Sequence, residues 1–269
     1  MSTAALHAGP RVGELLRDWR TRRRRSQLDL SLDVGVSTRH LSFVETGRSK
    51  PSPELVLALS EHLDVPLRER NRLLLAAGYA PRYGERPLDD PSMGHVHASL
   101  RRLLDAHQPY PGVVIDRQWN VLVANPAALL LTDGVAPHLL APTLNVFRVC
   151  LHPDGLPGRT TNFGDWAAYL LRQLRRSVSL TDDPGLRAIQ EEVSAYPTVV
   201  ALGRFDEGTE WDDPPILVPF RFTAGDRELS LFTTLTTFGT PRDITLDELC
   251  VELFFPADDD TEQLLRAGG

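Results

Sequence analysis

The sequence predicts an α+β protein: an all-α N-terminal domain of five short helices, then an antiparallel sheet with surrounding helices. Three observations predict it. Between residues 12 and 77 apolar side chains recur at helical spacing, punctuated by serine and glycine. The stretch GYAPRYGERPLDDPSMG then breaks that rhythm with prolines and glycines and reads as a linker. Beyond it, amphipathic segments lead into a tail of β-branched and aromatic runs, ILVPFRFTA, RELSLFTTLTTF and LCVELFF. The domains fall accordingly at 1–78 and 93–269, with the linker at 79–92.

Each element has a local reason. Val12, Leu15, Leu16 and Trp19 make one face of a first helix. Ser26 caps a second helix that runs to about Val34, and Gly35 supplies the turn because a positive φ suits a residue without Cβ. Ser37 caps a third helix over roughly 38–45. Ser52 precedes Pro53, an allowed first helical residue, and Leu55, Leu59 and Leu63 follow on one face. A fifth helix carries Leu67, Leu73, Leu74 and Ala77 and stops at Gly78. After the linker the sequence predicts a helix over 92–107, strands at 112–116 and 120–125, and a helix begun at Asn125-Pro126. Residues 143–152 read as helical. Asn162 is expected to cap a long helix that turns Phe163, Trp166, Leu170, Leu174 and Val178 inward. Asp183-Pro184 opens another, ending at Tyr196-Pro197. Gly225-Asp226 joins two tail strands, and 258–267 forms a last helix.

Composition bounds the function. With 269 residues, 42% hydrophobic and 24% charged, the chain has ordinary globular usage and room for one or two cores. No apolar run resembles a signal peptide or a membrane span, so a cytoplasmic protein without membrane contact is expected. Two cysteines, Cys150 and Cys250, make neither a disulfide framework nor a metal cluster. The net charge of −7 hides an asymmetry. Residues 1–78 carry 13 basic and 9 acidic side chains, and the remainder carries 16 and 27. A basic head, with the run Arg22 to Arg25, precedes an acidic body, which suggests an interaction module joined to something else.

The segment SQLDLSLDVGVSTRHLSFVETGRSKPS pairs two short helices across Gly35. Leu30, Ser31, Val36, Leu41 and Val44 make an inner face. Ser37, Thr38, Arg39, Ser42 and Phe43 lie outward, where arginine suits guanine and an apolar side chain suits a thymine methyl. Gln27 at the start of the earlier helix, and Arg48 and Lys50 beyond the later one, suit phosphate. An αα-hairpin with a solvated polar face fits the same spacing. The segment resembles the Xre/Cro-like helix-turn-helix family through Gln27, Leu30, Gly35, Val36, Ser37, Glu45, Gly47 and Pro51. Ser31 replaces that family's usual alanine and Arg25 its usual leucine, so the Arg25 corner must pack in another way. The resemblance implies binding to double-stranded DNA, as a dimer on two half-sites.

In the second domain, alternation would set Val121 and Val123 on one strand face, and Asn125 would cap the following helix. Arg148 and His152 share a helical face with Asn145 and suit a carboxylate; equally, Arg148 can pair with a surface acid while His152 ends the helix before Pro153. Trp166, Tyr169 and Leu170 suit either a core or a ligand wall. The segments LRERNRLLLAAGYAP, WNVLVANPAAL, NVFRVCLHPDGL, NFGDWAAYLLRQLRR and TLTTFGTPRDITLDELCVELFFPAD resemble the MmyB-like regulators. That resemblance implies a PAS-like ligand-binding domain, a homodimer and a fatty-acid-like apolar ligand. DRQWNVLVANPAA matches a PAS turn, strand and helix start, with Trp119 where glycine is frequent.

Other motifs point nowhere. His95 and His97 diverge on a helix, and Asp258 to Asp260 lack the glycine turn of a calcium loop and read as charge at a helix start. The threonines 233, 234, 236 and 237 suit an exposed strand. No phosphate loop, nucleophile elbow or zinc spacing is present, so no catalytic residue, metal or cofactor is expected and the chain reads as no enzyme. The alternative to a ligand-responsive regulator is a helix-turn-helix adaptor whose second domain binds a protein.

Overall fold

The computed structural model describes residues 11–181, 183–203 and 217–267. Expectations placed on residues 1–10 and on Ile216 lie outside them. The chain divides into two units: the first runs through Arg86 and includes Thr240–Asp247, and the second begins at Pro87 and resumes at Glu248.

In the first unit serine caps do the local work. Helix α1 (Val12–Arg22) leads to α2 (Gln27–Val34), where the Ser26 hydroxyl accepts the Asp29 N–H at 3.0 Å. Gly35 ends α2 at φ 74°, and Ser37 caps α3 (Thr38–Glu45) by accepting the His40 N–H at 3.1 Å. Ser52 caps α4 (Pro53–His62) in the same way, and α5 (Leu67–Ala76) closes the bundle. Leu16, Leu30, Leu41, Val44, Val56 and Leu59 form its buried core. The unit continues past Gly78: the Asn71 side chain accepts the N–H groups of Arg82 and Tyr83 and donates to the Tyr83 carbonyl. Part of the stretch read as a linker is therefore held on α5. Residues 240–247 add to the unit, with the Leu67 N–H donated to Asp247 at 2.9 Å.

The second unit opens with a 3-10 turn and α6 (Gly94–Ala106), then β1 (Gly112–Ile115) and β2 (Val121–Ala124). The Asn125 side chain accepts the Ala128 N–H at the start of a 3-10 helix over Pro126–Thr132. Short helices α7 (Pro137–Leu140) and α8 (Val146–Leu151) precede the long α9 (Phe163–Thr181). Asp183 caps α10 (Pro184–Ser194), and α11 (Pro197–Val200) follows. Strands β3 (Phe220–Ala224), β4 (Arg227–Thr237) and β5 (Cys250–Pro256) complete the sheet, with α13 (Asp259–Ala267) after β5; α12 (Ile244–Glu248), between β4 and β5 in sequence, belongs to the first unit through Asp247. The sheet is antiparallel in the order β2-β1-β5-β4-β3, which places β5 in the middle.

One local reading gains its geometry and two change. Trp119 takes φ 65°, a left-handed turn position where glycine would be unstrained, and its ring is buried beside Phe147. A register shift between Val114 and Ile115 pairs Ile115 with Val121 and Val114 with Val123. The bulge at Leu122 breaks alternation, so Val121 and Val123 lie on opposite faces. Asn162 does not cap α9 with its side chain, which instead donates to the Pro219 carbonyl and accepts the Arg221 N–H. Among the described residues, no helix is long and apolar enough to cross a membrane.

Candidate functional site

The first candidate is the outer side of α3. Arg39, Arg48 and Lys50 are exposed. The Arg39 and Arg48 guanidinium groups lie 5.3 and 5.8 Å from the Phe43 ring centre, so the ring stands within cation–π reach of both. Lys50 stands 4.7 Å from the Tyr79 ring. Ser42 and Phe43 are half-buried, and exposed Ser37 is committed to its cap. Thr38 meets Ser31 hydroxyl to hydroxyl at 2.9 Å. Because Ser31 donates to the Leu28 carbonyl, the Thr38 proton serves Ser31 and its oxygen stays an acceptor. The serine that replaces the family's alanine thus ties the two helices together.

Gln27 is placed differently from the other residues read as phosphate contacts. Its amide donates to Glu45 at 2.7 Å, and Arg20 binds the same carboxylate through two nitrogens at 2.7 and 2.9 Å. Arg20 also donates to the Arg25 carbonyl at 2.8 Å. Glu45 is buried, so this network fixes α1, α2 and α3 and holds α3 at its angle. The sequence reading named Glu45 only as a position shared with the family and missed its pairing with Arg20, because their separation of 25 residues carries no periodic signal. The basic run is also partly spent on structure. Arg23 donates to the Leu63 and Asp64 carbonyls at the end of α4, and Arg25 pairs with Asp33.

The second candidate lies inside the sheet. An apolar cavity of about 190 Å³ sits between the sheet, α8, α9 and the 3-10 helix after β2. Val113, Val121, Val146, Phe220 and Phe254 line it, together with Cys150, Trp166 and Glu252. Val123, Tyr169 and Leu170 are not in the lining; Leu170 is core, and Tyr169 stacks on Trp166 at 5.1 Å. A larger, more open cleft of about 500 Å³ involves Gln108, Arg227 and Leu264, and carries no buried charge.

Glu252 is the anomaly of the cavity. It is 4% exposed, on the middle strand, and Oε2 has no hydrogen-bond partner. Burial pushes its carboxyl up to about 7, and a hydrogen bond from Thr233 offsets part of that rise. Trp166 is 3% exposed and its indole Nε1 is likewise without a partner. The nearby Cys150 sulfur is a weak acceptor that the indole N–H approaches without a well-formed bond; burial, then the Glu252 charge, push its thiol up to about 12, and Trp166 offsets a little of that rise. Cys250 is raised to about 11 by burial, then Glu252. Sequence reading missed Glu252, because a lone acid within a strand run suggests solvent.

Arg148 and His152 are elsewhere. Arg148 Nε reaches Glu192 at 2.9 Å and Nη2 at 2.7 Å, in a pair whose side chains are each 39% exposed. Arg148 first, then Tyr196, hold the Glu192 carboxyl below its ordinary value, and Tyr196 donates to it at 2.5 Å. His152 ends α8, its Nδ1 accepts the Asp154 N–H at 3.1 Å, and its ring packs edge-on against Tyr196. Neither residue lines the cavity. His138, His152 and Asp154 bring one ligand atom each within 4.8 Å of one another at the surface.

Known proteins match this arrangement. A helix-turn-helix family matches residues 16–70, and the family described as the MmyB-like transcription regulator ligand binding domain matches 96–267. HTH-type transcriptional regulators of Mycobacterium bovis and Mycobacterium tuberculosis are 30% identical over 178 residues, 66% of this chain and 57% of theirs. The match thus spans little more than half the length of those relatives. A solved structure described as an RNA-binding light-oxygen-voltage receptor overlaps 95% of this chain and 60% of its own at 14% identity and a TM-score of 0.27, a likeness too weak to carry an argument. The helix-turn-helix head and the sheet domain with its interior cavity together place this chain in the family of MmyB-like transcription regulators.

Proposed function

We propose that the chain is a sequence-specific, cytoplasmic DNA-binding transcription regulator whose C-terminal domain binds a small, fatty-acid-like apolar molecule that modulates operator binding. One observation carries the DNA reading: Arg39 and Phe43 on α3 and Arg48 just beyond it come together, beside a helix whose angle is fixed by the Glu45 network. A second helix of this motif enters the major groove, where arginine pairs with guanine. We read the sheet domain as PAS-like, with the turn at Trp119 and the Asn125 cap in support. A homodimer would set two such helices on half-sites about one helical turn apart. Fluorescence anisotropy with genomic duplexes and scrambled controls tests the reading. Selective binding supports it, and equal affinity for all duplexes overturns it.

The ligand reading rests on the cavity. Apolar cavities of about 150 Å³ take up a molecule the size of benzene, so about 190 Å³ accepts a short aliphatic chain. The same volume falls below the roughly 300 Å³ at which drug-sized sites begin, and that favours the second reading, an adaptor whose C-terminal domain binds a protein. Native mass spectrometry of freshly purified protein separates them: a retained small molecule supports the sensor.

A further inference from the structure

The interior of the sheet domain carries polar groups that its own fold does not use. Glu252 Oε2 and Trp166 Nε1 are both buried, both without partners, and both belong to the wall of one apolar cavity. An unsatisfied buried acceptor and an unsatisfied buried donor each cost stability. Evolution of a core alone would replace them with apolar side chains of similar volume, which is frequently neutral or stabilising. Together they define a complement: a group that donates one hydrogen bond and accepts another.

We propose that the ligand is a short-chain amphiphile with an uncharged head, an alcohol or primary amide, whose O–H or N–H donates to Glu252 and whose oxygen accepts from Trp166. This rests on the ligand-binding reading and narrows it: the aliphatic chain is kept and the anionic head is not. The rest of the wall agrees. Among the described residues that line the cavity there is no arginine, lysine or histidine to neutralise a carboxylate. The titratable groups around Glu252 are Cys150 on α8, Tyr169 on α9 and Cys250 on its own strand, and burial favours the neutral form of each. A ligand carboxylate would therefore meet Glu252 with no cation between them, and like charges in a dry site repel strongly. Arg148, the cation that the sequence put forward for such a head, is committed to Glu192 outside the cavity.

The test uses the full chain and four probes of equal chain length at pH 8: 1-octanol, octanamide, octanoate and octylamine. Calorimetry reads their affinities. The expected result is that 1-octanol and octanamide bind at least tenfold more tightly than octanoate, and more tightly than octylamine, whose ammonium can donate to Glu252 but offers Trp166 no acceptor. Glu252→Gln keeps shape and hydrogen bonding while removing the charge, so it should raise octanoate affinity and close most of that gap. Trp166→Phe keeps a ring and removes the N–H, so it should weaken 1-octanol several-fold. Tightest binding by octanoate or octylamine overturns the proposal, as does an unchanged order of affinities in both variants. Binding of all four probes alike removes the head-group assignment and leaves the ligand reading standing. Binding of none removes both.

Discussion

Two buried glutamates separate the two regions of this protein. Glu45 in the helical head and Glu252 in the sheet domain are exposed by 6% and 4%. Glu45 receives both nitrogens of the Arg20 fork and the Gln27 amide. Glu252 has an oxygen with no partner and faces a cavity. A buried charge with its partners in place is a strut that orients helices. Glu252, with one oxygen left unpaired despite the Thr233 hydrogen bond, carries a desolvation cost that the fold does not offset. The same residue type at the same burial thus serves architecture in one domain and, on the proposal above, ligand binding in the other.

The largest expected effect falls on the strut. Glu45→Ala leaves Arg20 without its carboxylate and should cost about 3–5 kcal/mol, measured by chemical denaturation of the full chain. A loss below about 1 kcal/mol would reduce the network to a surface pair. Glu252→Gln should do the reverse. An acid whose folded pKa lies above its unfolded value, here about 7 against an ordinary value near 4.3, withdraws stability as pH rises between the two and leaves the penalty in place above them. The variant should therefore be more stable than the parent at pH 8, by an amount on the order of a few kcal/mol, and equal to it near pH 4. A destabilised variant at pH 8 would contradict an unpaired carboxylate.

Smaller effects lie at the two surfaces. Arg39→Ala should cost roughly 1–3 kcal/mol on the operator and relax base preference, whereas Arg48→Ala should weaken all sequences alike and flatten the salt dependence. Equal losses on operator and random DNA for Arg39→Ala would remove it from base readout. The smallest effect is expected for Arg148→Ala. Its ion pair with Glu192 is more than one-third exposed, so stability should change by about 0–1 kcal/mol, and 1-octanol affinity should not change at all. A loss of ligand affinity in that variant would return Arg148 to the site.

The head was legible in the sequence because its signals are local. Ser26, Ser37 and Ser52 each bond within their own first turn, and Gly35 needs only its own φ. The strands and longer helices of the second domain were legible for the same reason, whereas the short α7, α11 and α12 were not. What escaped depends on distant partners. Glu192 lies 44 residues from Arg148, and no spacing rule joins them. Helix α8 stops at Leu151, so the face imagined for Arg148 and His152 is cut short. A single bulged residue, Leu122, turned Val123 away from Val121. Nothing local in the LCVELFF run sets Glu252 apart; its burial follows from the sheet order, which puts its strand in the middle.

The most direct measurement follows the Glu252 carboxyl itself. Carbon-13 NMR of the glutamate side chains, titrated with pH in the full chain, reports its protonation with and without 1-octanol. The account predicts a midpoint near 7 for Glu252, moved downward when the alcohol donates to the carboxylate, because a hydrogen bond to the charged form favours it. A midpoint in the ordinary glutamate range that ignores 1-octanol would contradict the claim that this side chain awaits a ligand.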